Sequence, residues 1–172
     1  MKTAPQTKAD SAHIAKLIAA IPIAMLATVE ADGALACRPM AVLEMDASGA
    51  LWFFTDLRSS KVEHLRVANL SFTDSAHGNY VSLSGRGEID TDRAHIKRLW
   101  SAFAKPWFPD GPDSPNLALL KFIPAAADYW DAPNSKMVRA FGVLASMVAG
   151  KPIAMGESGS HTHMSAAASA AP

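Results

Sequence analysis

The sequence has little cysteine and no excess of charge of either sign. Its single cysteine, Cys37, excludes an internal disulfide and argues against a cysteine-based zinc site. Sixteen basic residues balance sixteen acidic ones. The chain therefore lacks both the basic surface of a nucleic-acid-binding protein and an acidic solvating tail. We expect no nucleic-acid partner and a cytoplasmic location.

Long hydrophobic runs and recognisable catalytic sets are also missing. Residues 1–12 are polar and lack the apolar core of a signal peptide. No segment approaches the about 20 apolar residues that a membrane helix requires, so no membrane partner is expected. No order or spacing of residues identifies a Ser-His-Asp triad. With 172 residues, the chain is long enough for one domain with a buried core.

Hydrophobic periodicity predicts short strands with helices inserted between groups of them. Asp32-Gly33 and the turn at 46–49 lie between apolar runs and predict a three-stranded meander. Further strands are predicted at 70–75, 80–90, 117–123 and 126–132, the last two on either side of Pro124. Helices are predicted at 9–21, at 59–69, at 91–103 with Thr91 as its cap, and at 135–150.

These elements predict an α+β fold around an antiparallel barrel of six or seven strands with flanking helices. The strands do not alternate regularly with helices, which argues against a doubly wound parallel sheet. Residues 1–150 are expected to form the domain. Residues 151–172 are small, polar and low in complexity, so they are predicted to be a disordered tail. His161 and His163 in that tail lack a third ligand, so we predict no metal site there.

The segment "FFTDLRSSKVEHL" (residues 53–65) predicts a strand, a polar turn and the start of a helix. Its polar residues include Thr55, Arg58, Ser59, Ser60 and Lys61. A helix start carries unpaired amide hydrogens and partial positive charge, so this turn suits an anion, most simply a phosphate. Alternatively, Ser60 and Glu63 form a capping box that closes the helix without any ligand. Local chemistry leaves both interpretations open.

The segment "ACRPMAV" (residues 36–42) predicts a strand with Arg38 and Met40 on one face and Cys37 and Pro39 on the other. Pro39 donates no backbone hydrogen bond, so the strand is predicted to lie at an edge or to carry a bulge. Arg38 then either faces an open groove or is an edge charge that prevents aggregation. Cys37 is interpreted as a small hydrophobic residue rather than a redox thiol.

Taken together, Arg-Pro-Met on one strand, "WFFT" on the next and Ser-Ser-Lys at a helix start resemble a known family. They are similar to the FMN-binding split barrels related to pyridoxamine 5'-phosphate oxidase, and more narrowly to the bacterial general stress protein 26 group. The segments "WFPDGPDSPNLALLKF" and "ADYWD" match that group too, and the resemblance spans residues 10–150. It implies a split β-barrel and a homodimer with FMN at the subunit interface.

The resemblance also implies a set of cofactor-binding residues, position by position. Those at the ring edge are expected to act largely through backbone atoms. The implied residues are Arg38, Pro39 and Met40 at the ring edge; Phe54 and Thr55 at the ring and ribityl chain; Ser59, Ser60 and Lys61 at the phosphate; and Trp107 and Trp130 of the partner subunit covering the ring.

A bound flavin would carry the chemistry, so the resemblance implies a flavin-dependent oxidoreductase of unknown substrate that needs no catalytic carboxylate. True pyridoxamine 5'-phosphate oxidases have a C-terminal Arg-x-His motif, whereas Arg139 here is followed by "AFGVLASM". Oxidation of vitamin B6 is therefore not expected. Two alternatives stay open: a non-catalytic FMN carrier, buffer or sensor, and a split barrel that binds haem or a deazaflavin.

Overall fold

The computed structural model describes residues 4–5, 8–131 and 157–162, with side chains over residues 12–130. Its elements in chain order are β1 (Ala4–Pro5), α1 (Lys8–Ala19), β2 (Ile23–Val29), β3 (Leu35–Ala41), β4 (Glu44–Met45), β5 (Leu51–Asp56), the 3-10 turn η1 (Ser60–His64), β6 (Ala68–Asp74), β7 (Asn79–Asp90), α2 (Arg93–Leu99), the 3-10 turn η2 (Ala102–Ala104), β8 (Leu117–Asp131) and β9 (Glu157–Thr162). No helix in these ranges is long and apolar enough to cross a bilayer.

The strands form one curled, mostly antiparallel sheet in the order β1-β9-β8-β7-β6-β2-β3. Strand β8 pairs with β7 along one edge. Along its other edge, β8 pairs with β5 over 117–122 and with β9 over 126–131. The sheet therefore divides at the middle of β8, and the predicted α+β split barrel with flanking helices is confirmed.

Strand β8 is continuous, although the sequence predicts two strands on either side of Pro124. Pro124 lies where the neighbour of β8 changes from β5 to β9. The pairing with β7 also shifts register between Ser84 and Gly85. A proline is tolerated in a sheet at such an irregularity because its missing N–H breaks no regular ladder bond. Gly85 is required there, since a Cβ would lie 2.2 Å from the carbonyl oxygen of Ile123.

Two hydrophobic cores lie on opposite faces of β5. Leu51 and Phe53 belong to the main core inside the curled sheet, which also receives the apolar face of α1. Trp52 and Phe54 belong to a second core beneath α2, where Ile96 is fully buried. Burial of each large side chain contributes about 1.5–3 kcal/mol. Strand β5 thus packs against both cores, and this packing fixes the position from which the following turn starts.

The two hairpin turns predicted at Asp32-Gly33 and at 46–49 are confirmed. Gly33 and Gly49 adopt φ of 85° and 82°, a left-handed conformation that glycine adopts without steric cost. The middle strand of the meander, however, is broken into β3, which pairs with β2, and β4, which pairs with β5. This break lets one segment of chain contribute to both halves of the split sheet.

The structure corrects one predicted helix and part of the predicted tail, and it does not describe a second predicted helix. The helix at 91–103 is shorter and is capped by Asp92, not Thr91, since an Asp92 side-chain oxygen accepts from the Ala94 amide at 2.9 Å. Residues 157–162 of the predicted disordered tail form β9. The helix predicted at 135–150 and the domain boundary at 150 lie outside the described residues, as does His163.

Candidate anion-binding site at the end of strand β5

The turn after β5 is not the helix start that the sequence predicts. Residues 60–64 form a five-residue 3-10 turn whose preceding residue, Ser59, makes no side-chain capping bond. The capping box of Ser60 and Glu63 is therefore wrong. A single short turn has a much weaker dipole than a helix, so the charge expected of a helix start is reduced. Side chains around the turn are therefore the main source of positive charge for an anion.

Arg58 is neutralised within the turn itself. Its Nε and Nη2 atoms donate to the two carboxylate oxygens of Asp56 at 3.0 and 2.6 Å. This guanidinium and the Arg58 amide together lower the pKa of Asp56 to about 2. The Arg58 side chain is also largely exposed. Arg58 therefore brings little net charge to a ligand.

Lys61 is the unusual group of the turn. It is 9% exposed, and its Nζ donates to Ser59 Oγ at 3.1 Å. Within the described part of the chain, no carboxylate lies within ion-pair distance of its Nζ. Burial first, and then the charge of Arg38, lower the pKa of Lys61, while Asp56 partly opposes them. A buried ammonium with a hydroxyl as its protein partner is costly, so this position favours an anion.

Arg38 approaches the same place from β3. Its Nη1 donates to Thr28 Oγ1 at 3.2 Å and its Nη2 to Glu30 Oε1 at 3.1 Å. The predicted alternation of β3 is confirmed, since Arg38 is partly buried and Met40 is buried on the inner face. Strand β3 is the last strand in the sheet order, which confirms the edge position predicted from Pro39. Two cations from separate elements thus lie near one another.

Thr55 and Phe54 diverge because neighbouring residues of a strand face opposite sides. Thr55 is 1% exposed, and its Oγ1 has no hydrogen-bond partner among the described residues. Phe54 points into the second core, with its ring 5.6 Å from Trp100 and 5.9 Å from Phe108. Thr55 offers its side chain to the inner face, whereas Phe54 offers a ligand there only its backbone.

Three further residues complete the cluster, and the sequence did not point to them. Glu30 accepts from Thr28 Oγ1 at 3.2 Å, and its other oxygen lies 3.3 Å from His64 Nε2. The His64 side chain is mostly buried. The register of the hairpin would have found Thr28 and Glu30, because they alternate onto the inner face with Leu26, which pairs with Arg38.

The remaining predicted residues have exposed side chains that are not part of this hydrogen-bonded cluster. Ser60 is exposed on the turn and Pro39 is exposed on the outer face of β3. Trp107 is 64% exposed and lies 5.4 Å from the ring of Phe103, while Trp130 is 46% exposed on β8. No hydrogen bond, ion pair or ring contact of the described residues joins either tryptophan to the turn within one chain. Their contact with a flavin from a partner subunit stays a prediction.

The outer face of the sheet is apolar beside the site. Large hydrophobic residues of β2 and β3 are exposed there: Ile23, Met25, Val29 and Leu35. Cys37 of β3 is exposed as well. A groove of about 410 Å³ crosses this face between β2 and β8 and is flanked by Arg66 and Arg86. Exposed apolar area of this kind is typical of an interaction surface.

Fold and site together define a split-barrel protein with a buried cationic site at the end of β5. Residues 9–153 match the family described as pyridoxamine 5'-phosphate oxidase like. The chain belongs to that family, as the sequence motifs predict.

Individual relatives agree with this assignment. The general stress FMN/FAD binding protein from Xanthomonas citri is 31% identical, with a TM-score of 0.63 over 76% of this chain and 92% of that one. A structure assigned to general stress protein 26 of Jannaschia sp. CCS1 is 26% identical, with a TM-score of 0.70 over 90% and 99% of the two chains. Protein bli-3 of Neurospora crassa is 28% identical over 132 residues, which cover 70% of this chain and 63% of that protein. This chain thus spans less than two thirds of the fungal relative.

Proposed function

We propose that this chain is an FMN-binding flavoprotein of the general stress type and acts as a flavin-dependent oxidoreductase on a substrate still to be identified. The observation that carries the proposal is the buried Lys61 ammonium, which has no carboxylate partner among the described residues. A dianionic phosphate monoester, such as the terminal group of FMN, would supply the missing counter-charge. The similarity to a protein described as FMN/FAD-binding supports a flavin.

The residues around the turn fit a phosphate and a ribityl chain. Lys61 and Ser59 provide an ammonium and a hydroxyl held 3.1 Å apart. The exposed hydroxyl of Ser60 lies at the start of the same turn. Thr55 provides a buried hydroxyl that has no hydrogen-bond partner among the described residues, which suits a hydroxyl-rich chain. Arg38 contributes a guanidinium whose side chain is held in place by Thr28 and Glu30.

The expected backbone contacts to the ring also agree with the fold. Pro39 and Met40 lie on β3, the last strand of the sheet order, where backbone groups along one edge face outward. When bound, FMN supplies the electron-transfer chemistry. The chain binds the phosphate, orients the ring against β3 and excludes water from the inner face. Vitamin B6 oxidation is not part of the proposal, because the Arg-x-His substrate motif is absent from the sequence.

The proposal includes a homodimer with the flavin at the subunit interface. Support comes from the exposed apolar residues on the outer face of β2 and β3. Strand β3 also carries Arg38, so this face adjoins the candidate site. Replacing Leu35 with aspartate should shift the protein to a monomer and weaken flavin binding together, because the partner's Trp107 and Trp130 would be lost from the ring. Analytical ultracentrifugation with and without FMN measures the first effect. The proposal also assigns the protein to the cytoplasm.

The absorption spectrum of the freshly purified protein tests the cofactor first. Flavin bands at visible wavelengths support the proposal, whereas a haem spectrum, a deazaflavin spectrum or colourless protein that gains no flavin on incubation with FMN refutes it. Anaerobic addition of NADH or NADPH then tests turnover. Rapid bleaching supports an oxidoreductase. A flavin that stays oxidised with both donors supports the alternative of a carrier, buffer or sensor.

A further inference from the structure

One carboxylate, Glu30, connects three side chains that come from three different elements around the candidate site. Its Oε1 accepts from Thr28 Oγ1 at 3.2 Å and from Arg38 Nη2 at 3.1 Å. Its Oε2 lies 3.3 Å from Nε2 of His64 on the turn η1. The Glu30 side chain is 23% exposed, so these contacts are made in a partly desolvated position.

These contacts link the two segments that carry positive charge. Arg38 belongs to β3 and Lys61 to η1, and the Arg38 charge lowers the pKa of Lys61. Without a bound anion the two cations repel each other. Glu30 lies at the junction, because it holds Arg38 on one side and reaches the turn through His64 on the other.

We propose that Glu30 is a positioning residue for a phosphate monoester: it holds Arg38 and His64 in place and so preorganises the site formed with Lys61. The inference rests on the proposed FMN binding and deepens it, since it assigns to Glu30 the discrimination of FMN from riboflavin. Without the Glu30 carboxylate, Arg38 would keep only the neutral hydroxyl of Thr28 as its partner among the described residues. A long guanidinium side chain held by one neutral bond retains much of its rotamer freedom, which binding would then have to remove.

Two substitutions separate positioning from charge. Glu30→Ala removes both the acceptor and the charge. Glu30→Gln keeps an acceptor oxygen for Arg38, removes the charge, and replaces the oxygen that faces His64 with an amide NH2. A matched control is Glu88→Ala on β7. This substitution deletes a carboxylate that lies 3.1 Å from Arg86 and is not part of the Glu30 cluster.

The measurement is the ratio of the dissociation constants of riboflavin and FMN, obtained by quenching of flavin fluorescence with the full-length ligand-free protein. We expect Glu30→Ala to lower this ratio about fivefold or more, which is the effect of one ordinary hydrogen bond. Glu30→Gln is expected to stay within about twofold of wild type, as is Glu88→Ala. Rescue by glutamine identifies positioning, because glutamine keeps the acceptor for Arg38 without the charge. A general loss of folding would instead weaken the binding of both flavins equally and leave the ratio unchanged.

Three results overturn the inference. They are an unchanged or higher ratio in Glu30→Ala, an equal loss of riboflavin and FMN affinity, and an equal fall of the ratio in the alanine and glutamine variants. A wild-type protein that binds neither flavin overturns the proposed function instead. In that case, the positioning role is tested by measuring the thermal stability of each variant with and without inorganic phosphate at constant ionic strength. Thermal stabilisation by phosphate that is lost in Glu30→Ala and kept in Glu30→Gln supports the role, and stabilisation equal in all variants refutes it.

A readout without any ligand checks the same geometry. In 15N-arginine-labelled protein, the side-chain resonance of Arg38 is expected to show slow solvent exchange in wild type and in Glu30→Gln, and fast exchange in Glu30→Ala. Fast exchange already in the wild-type protein would show that Glu30 does not hold the guanidinium.

Discussion

Replacing Lys61 with methionine should make the ligand-free protein more stable and its FMN complex weaker. Methionine has a similar length and no charge, so it fills the same space without the desolvation cost of the ammonium. Lys61 is 9% exposed, its Nζ makes one hydrogen bond among the described residues, to Ser59, and it is repelled by Arg38. We expect a gain of about 0.5–2 kcal/mol in the free energy of unfolding without ligand.

The same substitution removes a charge-assisted bond to phosphate, which is worth about 1.5–3 kcal/mol. This corresponds to an increase of about 10- to 150-fold in the dissociation constant of FMN. Riboflavin, which has no phosphate, should bind the variant as it binds wild type. Urea denaturation and fluorescence titration measure the two quantities on the same samples.

The stability difference should also depend on pH. The folded-state pKa of Lys61 is lowered below the ordinary value of 10.5. Between these two values the unfolded chain binds more protons than the folded one, so the stability of wild type rises with pH in that alkaline window. The advantage of the methionine variant should therefore shrink as the pH approaches 10.5. A variant that is less stable than wild type at neutral pH and binds FMN equally well would refute the reasoning.

Three further predictions concern other parts of the chain. Arg58→Ala should change the dissociation constant of FMN by less than about threefold in the same titration, because Asp56 already neutralises this exposed arginine. Gly85→Ala should lower the free energy of unfolding by about 1–3 kcal/mol in urea, because the new Cβ would meet backbone 2.2 Å away; wild-type stability would contradict the register shift. Asp92→Ala should cost about 0.5–2 kcal/mol and Thr91→Ala almost nothing; the reverse order would reinstate Thr91 as the cap.

The hairpins could be predicted from sequence because their signals are local. Asp32-Gly33 fixes a turn and, through it, the register that brings Thr28 and Glu30 beside Arg38. The cationic residues of the site, Arg38 and Lys61, were likewise identified from short motifs. Glu30 carries a local signal of the same kind, because the register of the hairpin places it near Arg38.

The helix predicted at 59–69 could not be corrected from local signals. The Gly87 amide donates to the Leu65 carbonyl at 2.7 Å, and Leu65 is buried in the main core. A Cβ on Gly87 would lie 3.1 Å from the Leu65 side chain, so the approach depends on a glycine far along the chain. This long-range contact takes the backbone out of a helix after one turn. Such tertiary effects override local propensity and have no signature within the segment itself.

Strand β8 has a consequence for how the chain is made. It supplies the partner of β5 over 117–122 and the partner of β7 along its other edge. Both of these strands emerge from the ribosome earlier, when β5 can pair only with β4 and β7 only with β6. The second edge of β5 stays open until residues 61–71 positions downstream are made, and that of β7 until residues 29–50 positions downstream are made. During synthesis the amino-terminal hairpins therefore stand with unpaired edges, and closure of the sheet is a late, slow event set by topology. Nascent chains stalled before residue 117 should accordingly be the species that chaperones hold.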